Sequence, residues 1–381
     1  MGDYAYDTLV KGGYGLYNFG DDMLLLTLHA MLESCSLTSD IAYLCKNSSY
    51  LKKLIPNISI ASHTDRDFIK TNRLVYGGGT QFYDFSKADT ITTCGRILRI
   101  LAKNKFLYEQ LRTVYRWTKN RIKFDVDQAN TITALGIGIG PLRSDSMHYN
   151  STRKLFKKMD FVATRDEISQ KFCDEWGLVN AELFNDICYW EPFYSSVITP
   201  MKAKRHVEKI AIVVRDWPHN ERGMSYYDSI LRVFNLLLKR GYKPTFCLFK
   251  GDKEPYWVQK FKAADIKYLT WNPDKQTVSF FCDQLAEFDL FISARFHGAV
   301  FATLLERPVI CIDIEPKLSL ASKSLGTSNL IWKYPFKDYE CLSLIDEVNE
   351  NYKTYLDNAV TVKVQQTKTA YKMVNTFKLK L

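Results

Sequence analysis

Short apolar, β-branched runs alternate with longer helix-periodic stretches from end to end of the chain. The runs show little polar alternation, which marks strands buried on both faces and hence parallel sheets covered by helices. Strands are expected at residues 4–10, 41–45, 57–62, 73–76, 131–136, 160–164 and 181–185, and again at 209–215, 243–249, 266–271, 289–293 and 308–313. Helices are expected at about 21–35, 91–123, 151–159, 167–176, 224–240, 253–263, 278–287 and 298–306. Between the two series lies EPFYSSVITPMKAKRHVE, residues 191–208, whose prolines, small polar residues and basic cluster suit an interdomain linker. The pattern is α/β. It predicts two Rossmann-like domains, residues 1–190 and 209–340, facing across a cleft, with C-terminal helices over 341–381 placed to cross back to the first domain.

Composition removes whole classes of function. With 46% hydrophobic and 25% charged residues over 381 positions, the chain is globular rather than disordered. No apolar run reaches the roughly 18 residues of a membrane span. The opening MGDYAYD carries acids where a signal peptide carries bases, so a cytoplasmic location is expected. Nine scattered cysteines form no CxxC and sit mostly in apolar stretches such as FCLF and VICID. They read as small hydrophobes in a reducing compartment, with no structural zinc. His63 and His148 have no ligand partners at metal spacing, and Asp125-Val126-Asp127 precedes a strand instead of following one, so no metal is expected.

Net charge adds one feature. Nine bases against the single acid Glu109 place +8 of the +10 within residues 96–123, interleaved with Ile97, Leu98, Ile100, Leu101, Phe106, Leu107 and Leu111. Such a segment suits either a solvated helix face or an anionic membrane surface. No recognised nucleic-acid module accompanies it, and no nucleic-acid partner is expected.

In open parallel sheets, ligands bind beyond the carboxyl ends of the strands. Gly77, Gly78 and Gly79 follow one expected strand, and Gly136, Gly138 and Gly140 follow another. Arg165-Asp166, Asp186 and Arg215-Asp216 follow others. Each has a plain alternative: glycines make tight turns, Arg165-Asp166 makes a helix cap with a surface arginine, and Asp186 caps a turn. Gly13, Gly15 and Gly20 do not match a dinucleotide fingerprint. The segment FDLFISARFHGAVFATLLERPVICID says more, because it sets Arg295 and His297 in a turn that opens a helix. A helix N-terminus favours an anion, arginine offers a planar fork for phosphate or carboxylate, and histidine titrates near neutrality.

With these residues in view, the chain resembles the polysaccharide pyruvyl transferase family. The matching pieces are Asn18-Phe19-Gly20-Asp21, Gly77-Gly78-Gly79, Gly136 to Pro141, Arg165 to Ser169, Asp186, Arg215-Asp216 and Ser293 to Ala299, in family order over roughly 12–315. Two departures stand out: Ile187-Cys188 follow Asp186 where the family often has Pro-Ala, and the early motif reads Gly20-Asp21-Asp22 instead of Gly-Asp-Glu. The resemblance implies a glycosyltransferase-B-like fold and transfer of pyruvate from phosphoenolpyruvate, as co-substrate and without a cofactor, onto two hydroxyls of a sugar.

By the same resemblance, the donor would lie against Arg215, Arg295, Phe296, Gly298 and Ser293, with His297 as acid and Asp21 or Asp186 as base. The acceptor, a sugar or lipid-linked oligosaccharide of a cell-surface polysaccharide such as a capsule or exopolysaccharide, would enter near Asn18, Gly77, Gly78, Gly79 and Gly138. Work on lipid-linked units at the inner membrane face would give residues 96–123 a peripheral docking role. The rival is a glycosyltransferase of the same fold using a nucleotide sugar, with Asp313 or Glu315 on the ribose.

Overall fold

The computed structural model describes residues 4–37, 40–45, 47–61, 69–83, 129–199, 205–218, 221–326 and 330–381. The basic stretch 96–123, with the helix and membrane role expected for it, lies outside the described residues, as do Asp125 to Asp127, His63 and Cys94.

Two sheets carry the fold. The first contains β1 (Tyr6–Lys11), β2 (Ile41–Leu44), β3 (Ser59–Ala61), β4 (Thr71–Tyr76), β5 (Gly79–Phe82), β6 (Ala129–Ile139), β7 (Phe161–Thr164) and β8 (Ala181–Leu183). The second contains β9 (Lys209–Val214), β10 (Lys243–Leu248), β11 (Tyr268–Thr270), β12 (Leu290–Ser293), β13 (Val309–Ile312) and β14 (Ile331–Trp332). Their orders are β3-β2-β1-β4-β6-β7-β8, with β5 beside β6, and β11-β10-β9-β12-β13-β14. The pairings are parallel, for example Val10 with Tyr43 and with Val75, and Ile212 with Phe246 and with Ile292. Each sheet therefore winds outward from a central first strand and then reverses. The crevice at that reversal opens between β1 and β4 in one sheet and between β9 and β12 in the other.

The strands form where the apolar runs predicted them. β5 and the two-residue β14 carry too little pattern to be seen in advance. β6 runs past its expected end, where Ile137, Gly138 and Ile139 pair with β5, and its register against β7 shifts between Ala134 and Ile137. Gly136, at φ +60, absorbs that bulge.

The helices are α1 (Phe19–Ser34), α2 (Ser48–Leu54), α3 (Met147–Phe156), α4 (Glu167–Glu175), α5 (Glu191–Val197), α6 (Glu221–Lys239), α7 (Pro255–Ala263), α8 (Val278–Ala286), α9 (Phe296–Leu304), α10 (Pro316–Ser324), α11 (Asp338–Glu350) and α12 (Tyr352–Lys378). α5 lies within the stretch expected as a linker: Pro192 is in its first turn, where a missing N–H is tolerated, and Tyr194 is buried. The long α12 returns to the edge of the first sheet. There Asn185 Nδ2 donates to the Gln366 carbonyl at 2.6 Å and Lys372 pairs with Glu182. The eight described cysteines are free thiols, and no helix of the described residues is long and apolar enough to cross a membrane.

One apolar cluster runs through both halves. Phe19, at the start of α1, is fully buried among Phe249, Trp271, Phe281 and Phe301 of the second half, with ring centroids 5.2, 5.3, 4.7 and 4.6 Å away. Its backbone N–H donates to the Phe249 carbonyl at 2.8 Å. Three residues on, the fully buried Asp22 accepts from Trp271 Nε1 at 2.8 Å and from the Tyr50 hydroxyl. Burial pushes the Asp22 carboxyl up to about 7, against the pull of those two hydrogen bonds and with the help of Asp21.

Phe19→Ala is expected to cost about 3–5 kcal/mol in urea unfolding, because it empties a fully enclosed aromatic site. Asp22 predicts a pH signature. Its folded pKa lies above its unfolded value, so the folded chain retains a proton the unfolded chain has lost. Stability from this group is full below about pH 4 and is lost as pH rises towards about 7. Asp22→Asn should flatten the unfolding midpoint across that range.

Candidate active site

The crevice of the second sheet is bounded by the residues just after β9 and β12, and these include Arg215 and Arg295. The turn after β12 is built from within. Ser293 Oγ donates to the Arg295 carbonyl at 2.8 Å and accepts from the Arg295 N–H at 3.1 Å. A Cβ at Gly298 would stand 2.1 Å from that same Oγ, so the position admits only glycine. Ser293 and Gly298, expected on the donor, are thus buried and shape the turn from behind.

Arg295 is buried, donates from Nε to the Val214 carbonyl at 3.1 Å and pairs with the buried Glu254. Arg215 pairs with Glu315 and lies 4.0 Å over the Trp217 ring. Two lysines without a motif of their own complete a cationic set. Lys250, just beyond β10, is held below the usual lysine value by burial and by Arg295. Lys317 stands 3.2 Å from Glu315. Burial brings it down to about 8, with Glu315 opposing the shift and Arg215 and Arg165 adding to it. Four cations meet the engaged carboxylates Glu254 and Glu315, while burial pushes a third, Asp216, up to about 6. These four cations lie by the N-terminus of α9, whose free N–H groups add positive potential.

The first half supplies the other wall. Asp186 Oδ1 accepts from the Cys188 N–H at 3.0 Å, which caps the turn over Ile187–Tyr189. Its Oδ2 lies 3.5 Å from His297 Nε2 and 3.7 Å from an Arg165 guanidinium nitrogen. Burial alone would raise the Asp186 carboxyl, but His297, Arg165 and the Cys188 N–H together hold it at about 2. Arg165 is not the surface arginine expected of a helix cap: it is buried, lies 4.1 Å over the Phe296 ring and donates to Thr80 Oγ1 at 3.0 Å. Asp166 does cap α4, accepting the Ser169 N–H at 2.9 Å. Phe296, expected on the donor, faces Arg165.

Gly20 touches the histidine directly, since an added Cβ would lie 2.4 Å from His297 Nδ1. Asn18 Nδ2 donates to Asp21 Oδ2 at 2.6 Å, and the Asp21 charge reaches Lys250. The glycines expected to leave room for an acceptor are packing positions. Cβ atoms at Gly77 and Gly78 would strike Tyr14, Leu28 and Leu24, and one at Gly138 would strike Arg165 and Thr80. Gly79 is also buried, with φ +90, against Leu24.

Asp186, Cys188 and His297 bring a carboxylate oxygen, a thiol and a ring nitrogen within 4.8 Å of one another, a cluster that linear spacing does not reveal. Burial and Asp186 push the Cys188 thiol well up, and Arg165 already faces the carboxylate. The donor set is therefore poor for a cation, which needs a thiolate and an uncompensated carboxylate.

Comparison with known proteins places these features. The sequence model described as polysaccharide pyruvyl transferase matches residues 18–316. No curated protein matches the chain in sequence. Among solved structures, the chain is similar to UDP-GlcNAc 2-epimerase from Neisseria meningitidis bound to UDP-GlcNAc, with 10% identity, TM-score 0.57, and 98% and 99% of the two chains covered. It is also similar to a putative UDP-N-acetylglucosamine 2-epimerase from Listeria monocytogenes, with 9% identity, TM-score 0.56, and 98% and 96% covered. Anabaena HepE in complex with UDP and glucose aligns with 10% identity, TM-score 0.54, and 98% of each chain covered. These likenesses establish the glycosyltransferase-B-like fold.

Gly20→Ala tests the contact between the halves. It should displace the His297 ring, shift its NMR resonances and reduce turnover, with the circular dichroism spectrum unchanged.

Proposed function

Because the chain belongs to the polysaccharide pyruvyl transferase family, we propose that it moves the enolpyruvyl group of phosphoenolpyruvate onto two hydroxyls of a sugar, forming a pyruvate ketal. The sugar belongs to a cell-surface polysaccharide or its lipid-linked repeat unit. The observation that carries this reading is the cationic crevice of Arg215, Arg295, Lys250 and Lys317, set beside His297 at a helix N-terminus. Phosphoenolpyruvate presents a carboxylate and a phosphate, and each charge-assisted contact to such groups contributes about 1.5–3 kcal/mol.

His297 protonates C3 of the enol while a sugar hydroxyl oxygen bonds to C2. The C2–O bond to phosphate then breaks, and the second hydroxyl bonds to C2. Of the two hydroxyl protons, one replaces the proton given to C3 and the other leaves with phosphate. Asp186, held at about 2, is too weak a base to take a hydroxyl proton. It orients the imidazole and stabilises its positive charge before transfer. Asp21, less buried and beside Lys250, is the other of the two candidates and the one we assign as base.

A nucleotide-sugar donor has less support. Glu315, one candidate for its ribose, is taken by Arg215 and Lys317, and Asp313 is taken by Ser319 and Arg222.

Thermal-shift measurements should show stabilisation by phosphoenolpyruvate but not by nucleotide sugars, and Arg295→Lys should weaken it. Stabilisation by a nucleotide sugar alone would move the assignment to glycosyl transfer. His297→Ala should lower turnover by about 10²–10⁴ while the phosphoenolpyruvate shift survives.

A further inference from the structure

The carboxylate of Glu254 joins the two turns that carry the crevice arginines. Glu254 stands at the N-cap of α7, beyond the end of β10, and is 1% exposed. An acid at that position usually accepts a free N–H of its own helix, and Glu254 does not. The first turn of α7 is served from another loop: Asp216, just after β9, accepts the Tyr256 N–H at 3.2 Å through Oδ2. Glu254 Oε1 in return accepts the Asp216 N–H at 3.2 Å, and it also accepts from Arg295 Nη2. Resting on the pyruvyl-transfer reading, we propose that Glu254 is a positioning residue for the donor. It sets Arg295 against the turn of Arg215, so that the two guanidinium groups meet the carboxylate and the phosphate of phosphoenolpyruvate together.

Three observations carry this role. The first is how little freedom Arg295 keeps. Its Nε donates to the Val214 carbonyl at 3.1 Å and its Nη2 to Glu254, which fixes the guanidinium plane along one edge. Nη1 has no hydrogen-bond partner among the described residues and is the nitrogen left to donate to an anion. The second is that one oxygen serves both turns. Arg215 precedes Asp216, its own N–H donates to the Tyr226 hydroxyl at 2.9 Å, and its guanidinium lies 4.0 Å over the Trp217 ring. Holding the Asp216 N–H therefore holds the backbone from which Arg215 extends. The third is a cost to stability. Glu254 Oε2 is enclosed with no hydrogen-bond partner among the described residues. A half-satisfied buried carboxylate stabilises a fold poorly, and a well-packed apolar side chain often does as well or better. An apolar side chain could not orient a guanidinium.

Phosphoenolpyruvate makes that orientation matter. Its carboxylate and its phosphate oxygen are both bonded to C2 of a planar enol, which limits how far apart the two anions can lie. An arginine that is free to rotate must be ordered on binding, and one already held avoids that cost. Inorganic phosphate is a single anion and needs no such match. The Glu254 charge also repels an anionic donor, so removing it without loss of orientation would strengthen binding. Weakening is therefore the signature of positioning.

The test uses the full chain and titration calorimetry with two probes, phosphoenolpyruvate and inorganic phosphate, on the wild type, Glu254→Ala and Glu254→Gln. Hydrogen exchange at the Arg295 Nε–H, followed by NMR and assigned with Arg295→Lys, reports the hold on the guanidinium without any ligand. Glu254→Ala should weaken phosphoenolpyruvate binding about tenfold or more, as loss of a hydrogen bond to a charged group does, while phosphate binding changes by less than about threefold. Exchange at Nε should quicken in the same variant. Glu254→Gln keeps an acceptor oxygen at the same reach and should restore most of both. Circular dichroism checks the fold; if Glu254→Ala fails to fold, Glu254→Asp takes its place, since it keeps the charge and draws the oxygens back by one methylene. Unchanged or tighter phosphoenolpyruvate binding in folded Glu254→Ala or its replacement, an equal loss for both probes, or an unchanged exchange rate would overturn the positioning role. No phosphoenolpyruvate binding by the wild type would instead overturn the pyruvyl-transfer reading on which that role rests.

Discussion

The seating of Phe19 is the contact on which the rest depends. A single aromatic side chain at the head of α1 is seated among Phe249, Trp271, Phe281 and Phe301 of the second half. The N–H of the same residue is spent on the Phe249 carbonyl. Close-packed aromatic rings tolerate little displacement, because a small gap forfeits much of the attraction. That seating also places the next turn of α1. Gly20 comes to rest on the His297 ring, and Asp22 reaches Trp271.

The halves also meet at charge. Asp186 of the first half sits against His297 of the second, and Arg165 of the first lies over Phe296 of the second. A buried carboxylate beside Arg165 and His297 stays ionised, and such a group is costly to leave unpaired. The docking of the halves and the electrostatics of the site are therefore one arrangement. Moving the sheets apart would take His297 from Asp186 and the Phe296 ring from Arg165.

Across the site, charge is concentrated. The crevice of the second sheet collects Arg215, Arg295, Lys250 and Lys317 beside a helix N-terminus. Beside the Asp186–His297 pair, Arg165 stands against Asp166 and Asp186, and Lys323 pairs with Glu167.

The doubly wound sheets could be read from the chain because their strands are short, β-branched and buried on both faces, a pattern that needs no partner to be recognised. The turn holding Arg295 and His297 was legible for the same reason, as a polar interruption between an apolar strand and a helix of small residues. Elements whose stability comes from neighbours were not: the two-residue β14, α5 within the expected linker, and β5 beside β6. Lys250 and Lys317 carry no local signature, and only the folding of two distant loops brings them to the arginines. Gly77 and Gly78 follow a strand and are expected either as tight-turn residues or beside the acceptor; Tyr14, Leu24 and Leu28 cover them, because a glycine marks either empty space or close approach and the sequence does not say which. By itself, then, the chain determined the fold class, the family and the histidine turn, which rest on local pattern. The tertiary structure alone decided which carboxylate faces that histidine and which cations surround it, since those depend on contacts between separate loops, as of Asp186 with His297, Arg215 with Glu315 and Arg295 with Glu254.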